Sequence, residues 1–225
     1  MPSSVVHVAL ALAIAVGLLG RFYDRRAVFV IVLIALFPEL DTAFGWAMSG
    51  AHRTVLHTMA GTAILAAVLF WETSREGSWI RDRWGARGVR IAWVGLFVHT
   101  FAHLALDWAH LSGVNFFWPF VDQFYNLDSE LYLSTTDGIV QTFVEITEDP
   151  ETGRGIVDAG QGGTRAENHV SNPAQPSPDP EPGPIDRRFP IAVGGWQLYL
   201  VVVGAFTLVA KRLQTPHSKR ETEKR

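Results

Sequence analysis

Apolar segments alternate with basic connections along this chain, and that alternation limits its fold more than any other feature. The apolar segments are residues 5–19, 27–37, 55–71, 89–108 and 189–210. The last three approach or exceed the roughly 20 residues that a helix needs to cross a bilayer. The first two, about 15 and 11 strictly apolar residues, are short for a crossing. Segment 5–19 has no basic region before it, and Gly17-Leu18-Leu19-Gly20-Arg21 is a poor cleavage site, so it reads as a helix and not a secretory signal. Arg21, Arg25 and Arg26 separate the first two segments, and Arg75, Arg81, Arg83, Arg87 and Arg90 separate the third and fourth. Lys211, Arg212, Lys219, Arg220, Lys224 and Arg225 follow the fifth. Basic connections stay cytoplasmic. Five crossings with the N-terminus outside and the C-terminus inside satisfy all three at once.

The expected architecture is an all-α, multi-pass transmembrane bundle of about five helices with an acidic, partly disordered outer loop. Residues 1–125 form a four-helix membrane region carrying the site, and 126–188 an extra-membrane loop. Residues 189–210 are the fifth helix and 211–225 a basic cytoplasmic tail. Between Asp122 and Arg188 there are thirteen Asp and Glu against four Arg. The later part of this stretch, from about residue 148, is rich in Pro, Gly, Asp and Glu, a composition that predicts disorder. Before it, two short apolar runs flanking residues 134–138 read as a small hairpin or short extra-membrane elements. The chain has no cysteine, which excludes disulfides, thiolate ligands and cysteine nucleophiles. It shows no basic patch with interleaved aromatics, so membrane lipids are the expected partners and nucleic acid is not.

Four polar clusters interrupt the apolar pattern: His7; Pro38-Glu39-Leu40-Asp41; the run from His52 through Arg53 to His57; and His99 through His103 to Asp107. A polar side chain among apolar neighbours is costly unless it has a partner. Imidazole and carboxylate together make the donor set of a divalent transition metal. The five-helix topology, derived from the basic residues alone, gathers all four clusters at the outer face. His103 and Asp107 are four apart, on one face of a helix. His99 and His110 extend that stripe, but lie too far apart along the axis to share an ion with each other. His52 and His57, five apart, cannot face one point from a regular helix, so His52 belongs to a cap or loop, with His57 a turn and a half inside. Arg53 is placed to bind an anionic substrate oxygen. Glu39 and Asp41 follow a proline and can point the same way from an irregular turn, as metal ligand and general base. His7, His52, His57, His103 and Asp107 are the candidate metal ligands, and Glu39, Asp41 and Arg53 the candidate catalytic residues. His110 and His169 are expected outside the site. Phe116, Phe117, Trp118, Phe120, Phe124 and Tyr125 form an aromatic belt of the kind that anchors at a membrane interface.

At these residues the chain resembles the YdjM-like family of predicted membrane-bound metal-dependent hydrolases. That family shows an N-terminal His, Pro-Asp-x-Asp, His-Arg-Gly-x-Thr-His-Ser, and His-x-x-x-Asp followed by Pro-Phe-like residues. Here His7, Pro38-Glu39-Leu40-Asp41, His52-Arg53-Thr54-Val55-Leu56-His57-Thr58, His103-Leu104-Ala105-Leu106-Asp107 and Trp118-Pro119-Phe120 stand in the same order over roughly residues 1–145. Glu39 replaces the first Asp, and Thr54 and Leu56 replace the Gly and Thr between the histidines. The resemblance implies a metal hydrolase. An outward, interfacial site adds an ester or phosphoester of a lipid or lipid-linked molecule as the expected substrate. Zn²⁺, as one or two ions, is the expected metal given so many imidazoles. The alternative is a non-catalytic protein that binds or transports a divalent metal. Polar residues should then continue to the inner ends of the helices, where the first three segments are nearly all apolar.

The topology is checked with a reporter fused after Arg225. Activity of a cytoplasmic reporter is the expected result, and a reporter found outside the cell overturns the arrangement.

Overall fold

The computed structural model describes residues 3–110, 112–148, 153–167 and 191–214. The chain divides into two compact units. One comprises Pro2–Pro38, Ala63–His103 and Ile185–Arg225, and the other Glu39–Thr62 and Leu104–Pro184.

The first unit is helical. Helix α1 (Ser4–Leu18) runs into a short 3₁₀ turn, Gly20–Phe22, and α2 (Arg25–Leu36) follows. Asp24 starts α2 as its N-cap, its carboxylate accepting from the Ala27 amide at 2.8 Å. Helix α3 (Met59–Ser74) enters the unit from residue 63, and α4 (Trp79–Val98) begins on Ser78, whose hydroxyl accepts from the Arg81 amide at 3.1 Å. Helix α4 breaks at Gly85, where φ is 63° and ψ −160°. That backbone is open to glycine and strained for other residues. Exposed Trp79 and Trp84 precede the break, and the apolar stretch that enters the core follows it. The core comprises Ala11, Ala15, Leu19, Ala27, Ile31, Ala35, Val94, Val98 and Ala102. More than half of these are alanine, which suits helix association in lipid, where close backbone approach replaces the hydrophobic drive.

The last helix of this unit, listed in chain order after the short α5 (Ala105–Trp108) of the second unit, is α6 (Gly195–Gln214). It packs against α1. It begins later than residue 189. Gly194 and Gly195 disfavour helix, and Gln197 closes the start by accepting from the Val193 amide at 3.0 Å. Residues 189 and 190 and the tail from 215 lie outside the described residues.

Among the described residues, three helical stretches are long and apolar enough to cross a membrane: Arg25–Trp46, Trp79–Trp108 and Gly195–Gln214. Helices Ser4–Leu18 and Met59–Ser74 are apolar but shorter.

The second unit is not all-α, which corrects the sequence expectation. It holds two antiparallel two-stranded sheets, β1 (Leu131–Ser134) with β2 (Gly138–Gln141), and β3 (Glu145–Glu148) with β4 (Gly155–Asp158). The first is the expected hairpin. Its turn ends on Asp137-Gly138, with Gly138 at φ 74°, and Ser134 Oγ accepts from the amides of Thr136 and Asp137. The second sheet falls partly in the stretch expected to be disordered. Residues 153–167 do not follow that expectation: the Asn126 amide donates to the Gly160 carbonyl at 2.8 Å and the Phe124 amide to the Gly163 carbonyl at 2.8 Å. Backbone pairing holds this segment where its few apolar side chains cannot. Residues 149–152 and 168–190 lie outside the described residues, and with them His169.

Gly204 of α6 meets the backbone of α1 directly, since a side chain there would run into the Ala9 carbonyl. Gly204→Val is therefore expected to destabilise the protein by about 1–3 kcal/mol, in the manner of an overpacked core. Thermal or denaturant unfolding in detergent measures it.

Candidate functional site

Pro38 shapes the first element of the site. Helix α2 gives way at Phe37 to a 3₁₀ helix, Phe37–Trp46. At about 3 residues per turn, residues two apart fall about 120° apart. Asp41 is consequently fully buried, while Glu39 is only half-buried. The two carboxylates do not share a face as an irregular turn would have allowed.

Both oxygens of Asp41 are engaged. Oδ1 accepts from His52 Nδ1 at 2.8 Å and Oδ2 from His57 Nδ1 at 2.7 Å. The two rings meet edge to face, with centroids 5.9 Å apart. Both histidines lie in a loop, because α3 starts at Met59 rather than inside the 52–57 run. Thr58 is the reason: its hydroxyl accepts from the Gly61 amide at 3.0 Å and caps the helix, while the Met59 amide donates to the Phe116 carbonyl. His57 is thus outside the helix, not a turn and a half within it.

Arg53 stands between the histidines at φ 61°, a left-handed backbone that is uncommon for a non-glycine residue. Its side chain is buried. Nη2 donates to Asp107 Oδ1 at 2.6 Å and Nη1 to the Gly113 carbonyl at 3.2 Å. Nε is buried and has no hydrogen-bond partner among the described residues. The backbone carbonyl of Arg53 accepts from the Asn115 amide, which fixes the turn in place. The guanidinium expected to hold a substrate oxygen therefore holds Asp107.

Asp107 is also 3.2 Å, through Oδ2, from His57 Nε2. His57 is thus clasped between two carboxylates, Asp41 on Nδ1 and Asp107 on Nε2.

In the helical unit, His7 and His103 stack with ring centroids 4.1 Å apart and an interplanar angle of 20°. His7 Nδ1 bonds the Ala102 carbonyl at 2.9 Å, and His103 Nδ1 the Ala35 carbonyl at 2.7 Å. A carbonyl only accepts, so Nδ1 carries the proton in both rings. In the neutral ring the metal-binding lone pair is then on Nε2. The Ala35 carbonyl is available for a sequence reason: the residue three ahead of it, its partner in 3₁₀ geometry, is Pro38, which has no N–H. His103 lies in a π-helical turn, His99–Leu104, within the last stretch of the long helix. Such wide turns recur at functional sites.

Four histidines are thus held the same way, each through Nδ1 by a carbonyl or carboxylate. This is the arrangement that fixes ring orientation and raises basicity in metal-ligating imidazoles. His7, His103 and Asp107 are all buried and carry donors that a metal ion can use. His99 is buried as well. His110 accepts from the Ser112 amide at 3.2 Å in a local turn. Asn115, fully buried and joined to Arg53 through the backbone, was not singled out from the sequence; its side-chain amide donates to Asp122 at 2.7 Å.

Comparison with known proteins finds a family and a relative. The family described as YdjM inner membrane protein matches residues 1–163. Inner membrane protein YbcI of Escherichia coli (strain K12) is 26% identical over 130 residues, 55% of this chain and 70% of that protein. No solved structure matches the chain.

Arg53 and Asp107 are a buried ion pair, so removing one partner strands the other. Arg53→Ala is expected to destabilise by about 3–5 kcal/mol. The double variant Arg53→Ala/Asp107→Asn should lose less than the sum of the single losses. Additive losses in an unfolding cycle would show that the pair is not coupled.

Proposed function

Since the chain belongs to the YdjM inner membrane protein family, we propose that it is an integral membrane metal-dependent hydrolase acting on an ester or phosphoester of a lipid or lipid-linked substrate. The observation that supports this reading most is the anchoring of four buried imidazoles through Nδ1. A helix-gluing hydrogen bond needs one anchored histidine, whereas four with the same ring atom engaged suit a set of nitrogen ligands.

In this reading Nε2 of His7, His52, His57 and His103, with Asp107, take one or two divalent ions, with Zn²⁺ favoured by the imidazole-rich donor set. A bound ion of this kind lowers the pKa of water to the neutral range and polarises an acyl or phosphoryl oxygen. Asp41 positions rather than reacts: its two oxygens keep His52 and His57 oriented. Arg53 holds Asp107 and contributes positive charge beside it. Glu39, half-buried at the same turn, is the group assigned to take a proton from water. A membrane setting supplies substrates with acyl or polyprenyl chains. The outer face remains the assigned side, from the distribution of basic residues.

Metal analysis of the detergent-purified protein tests the proposal. The wild type should carry bound zinc or another transition metal. His57→Ala and His103→Ala should each lose most of it, and Asp41→Asn should retain it with affinity reduced by about 10- to 100-fold. Full metal content in both histidine variants would remove the metal-site reading. Metal bound as expected, with no turnover of lipid esters or phosphoesters, would favour the binding or transport alternative.

A further inference from the structure

The helical unit contains a second feature that the metal chemistry does not use. A cavity of about 580 Å³ opens where α1 ends and α4 passes. Leu19, Phe22, Val89 and Trp93 form an apolar and aromatic wall, and Arg21 and Arg90 contribute its charge. Gly20, at φ 54°, makes the turn that brings Arg21 round to this side.

The two arginines differ from their neighbour Arg87. Arg87 is neutralised by Asp24, at 2.6 and 2.8 Å. Arg21 lies 4.8 Å over the Phe22 ring, and neither it nor Arg90 has a carboxylate partner among the described residues. The cavity is also wider than a bare phosphate requires and falls in the size range of small-molecule pockets, roughly 300–1,000 Å³. Its position on the chain is interfacial: Arg90 stands at the start of the apolar stretch of α4, and Arg21 just past the end of α1.

Two unneutralised guanidiniums above an apolar wall, at the end of membrane helices, match an acidic phospholipid. The phosphate would be gripped by the arginines and the glycerol and upper acyl chain laid along Leu19, Val89 and Trp93. We propose that this cavity is a binding site for an anionic phospholipid, on the side marked by the basic connections. The site is separate from the histidine cluster and does not depend on catalysis.

The test is native mass spectrometry of the detergent-purified full chain with phosphatidylglycerol, phosphatidylcholine or inorganic phosphate. Phosphatidylglycerol should be retained over phosphatidylcholine, and each of Arg21→Gln and Arg90→Gln should weaken retention by about 5-fold. Ala86→Phe fills the cavity without altering charge and should weaken it too. Arg83→Gln, an exposed arginine outside the cavity, should not. Unfolding temperatures matching the wild type show that each variant is folded, and Ala86→Phe keeps the test alive if an arginine variant is not. Equal retention of the two lipids, or equal loss with Arg83→Gln, overturns the proposal. Displacement of phosphatidylglycerol by millimolar phosphate at these arginines would identify a free-anion site and overturn the lipid assignment.

Discussion

An imidazole in an apolar interior must spend at least one of its nitrogens on the protein, and much of this structure follows from meeting that demand. The partners are varied: a carboxylate shared by His52 and His57, and carbonyls of two different helical stretches for His7 and His103. Each bond fixes both where a ring sits and which tautomer it adopts. Backbone irregularities supply these partners. The 3₁₀ stretch after Phe37 releases a carbonyl and turns Asp41 inward, and the left-handed turn at Arg53 lies between two histidines that a helix would have thrown apart but that here meet on one carboxylate. What looks like local disorder in the helical pattern is the means by which polar groups are satisfied.

Arg53 shows how burial decides a residue's role. In the open, a guanidinium next to two histidines is well suited to gather an anion. Enclosed, it cannot wait for one, because an uncompensated charge in such surroundings is expensive. It therefore binds Asp107 and the Gly113 carbonyl, and the electrostatic balance between Arg53, Asp107, His57 and Asp41 is settled within the protein.

Much of this was legible from residue types and spacing. The five-residue gap between His52 and His57 placed His52 in a cap or loop, as found, whereas His57, expected inside the helix, lies in the loop as well. Thr58 carries the signal for the helix start that the apolar run at Val55 obscured. The hairpin at residues 131–141 was one of the readings that the apolar runs flanking residues 134–138 allowed. Other features were hidden because they depend on phase or on groups common to every residue. Whether Glu39 and Asp41 share a face turns on 3₁₀ against irregular backbone, which Pro38 makes possible without specifying. The carbonyls of Ala35 and Ala102 carry no side-chain mark. Residues 160–163 are held by backbone bonds to the distant segment 124–126, against a composition that favours disorder.

The break at Gly85 has a mechanical consequence. The helical stretch Trp79–Trp108 has 30 residues and would be about 45 Å long if straight, against a hydrocarbon core of about 30 Å. A straight rod of that length must tilt or slide when the bilayer thins or thickens, carrying every residue with it. A joint near one end lets the short tryptophan-bearing arm follow the interface while the longer arm keeps its depth. Variation in membrane thickness is then absorbed by rotation about one residue, and the histidines nearly four turns and more beyond it are spared the strain.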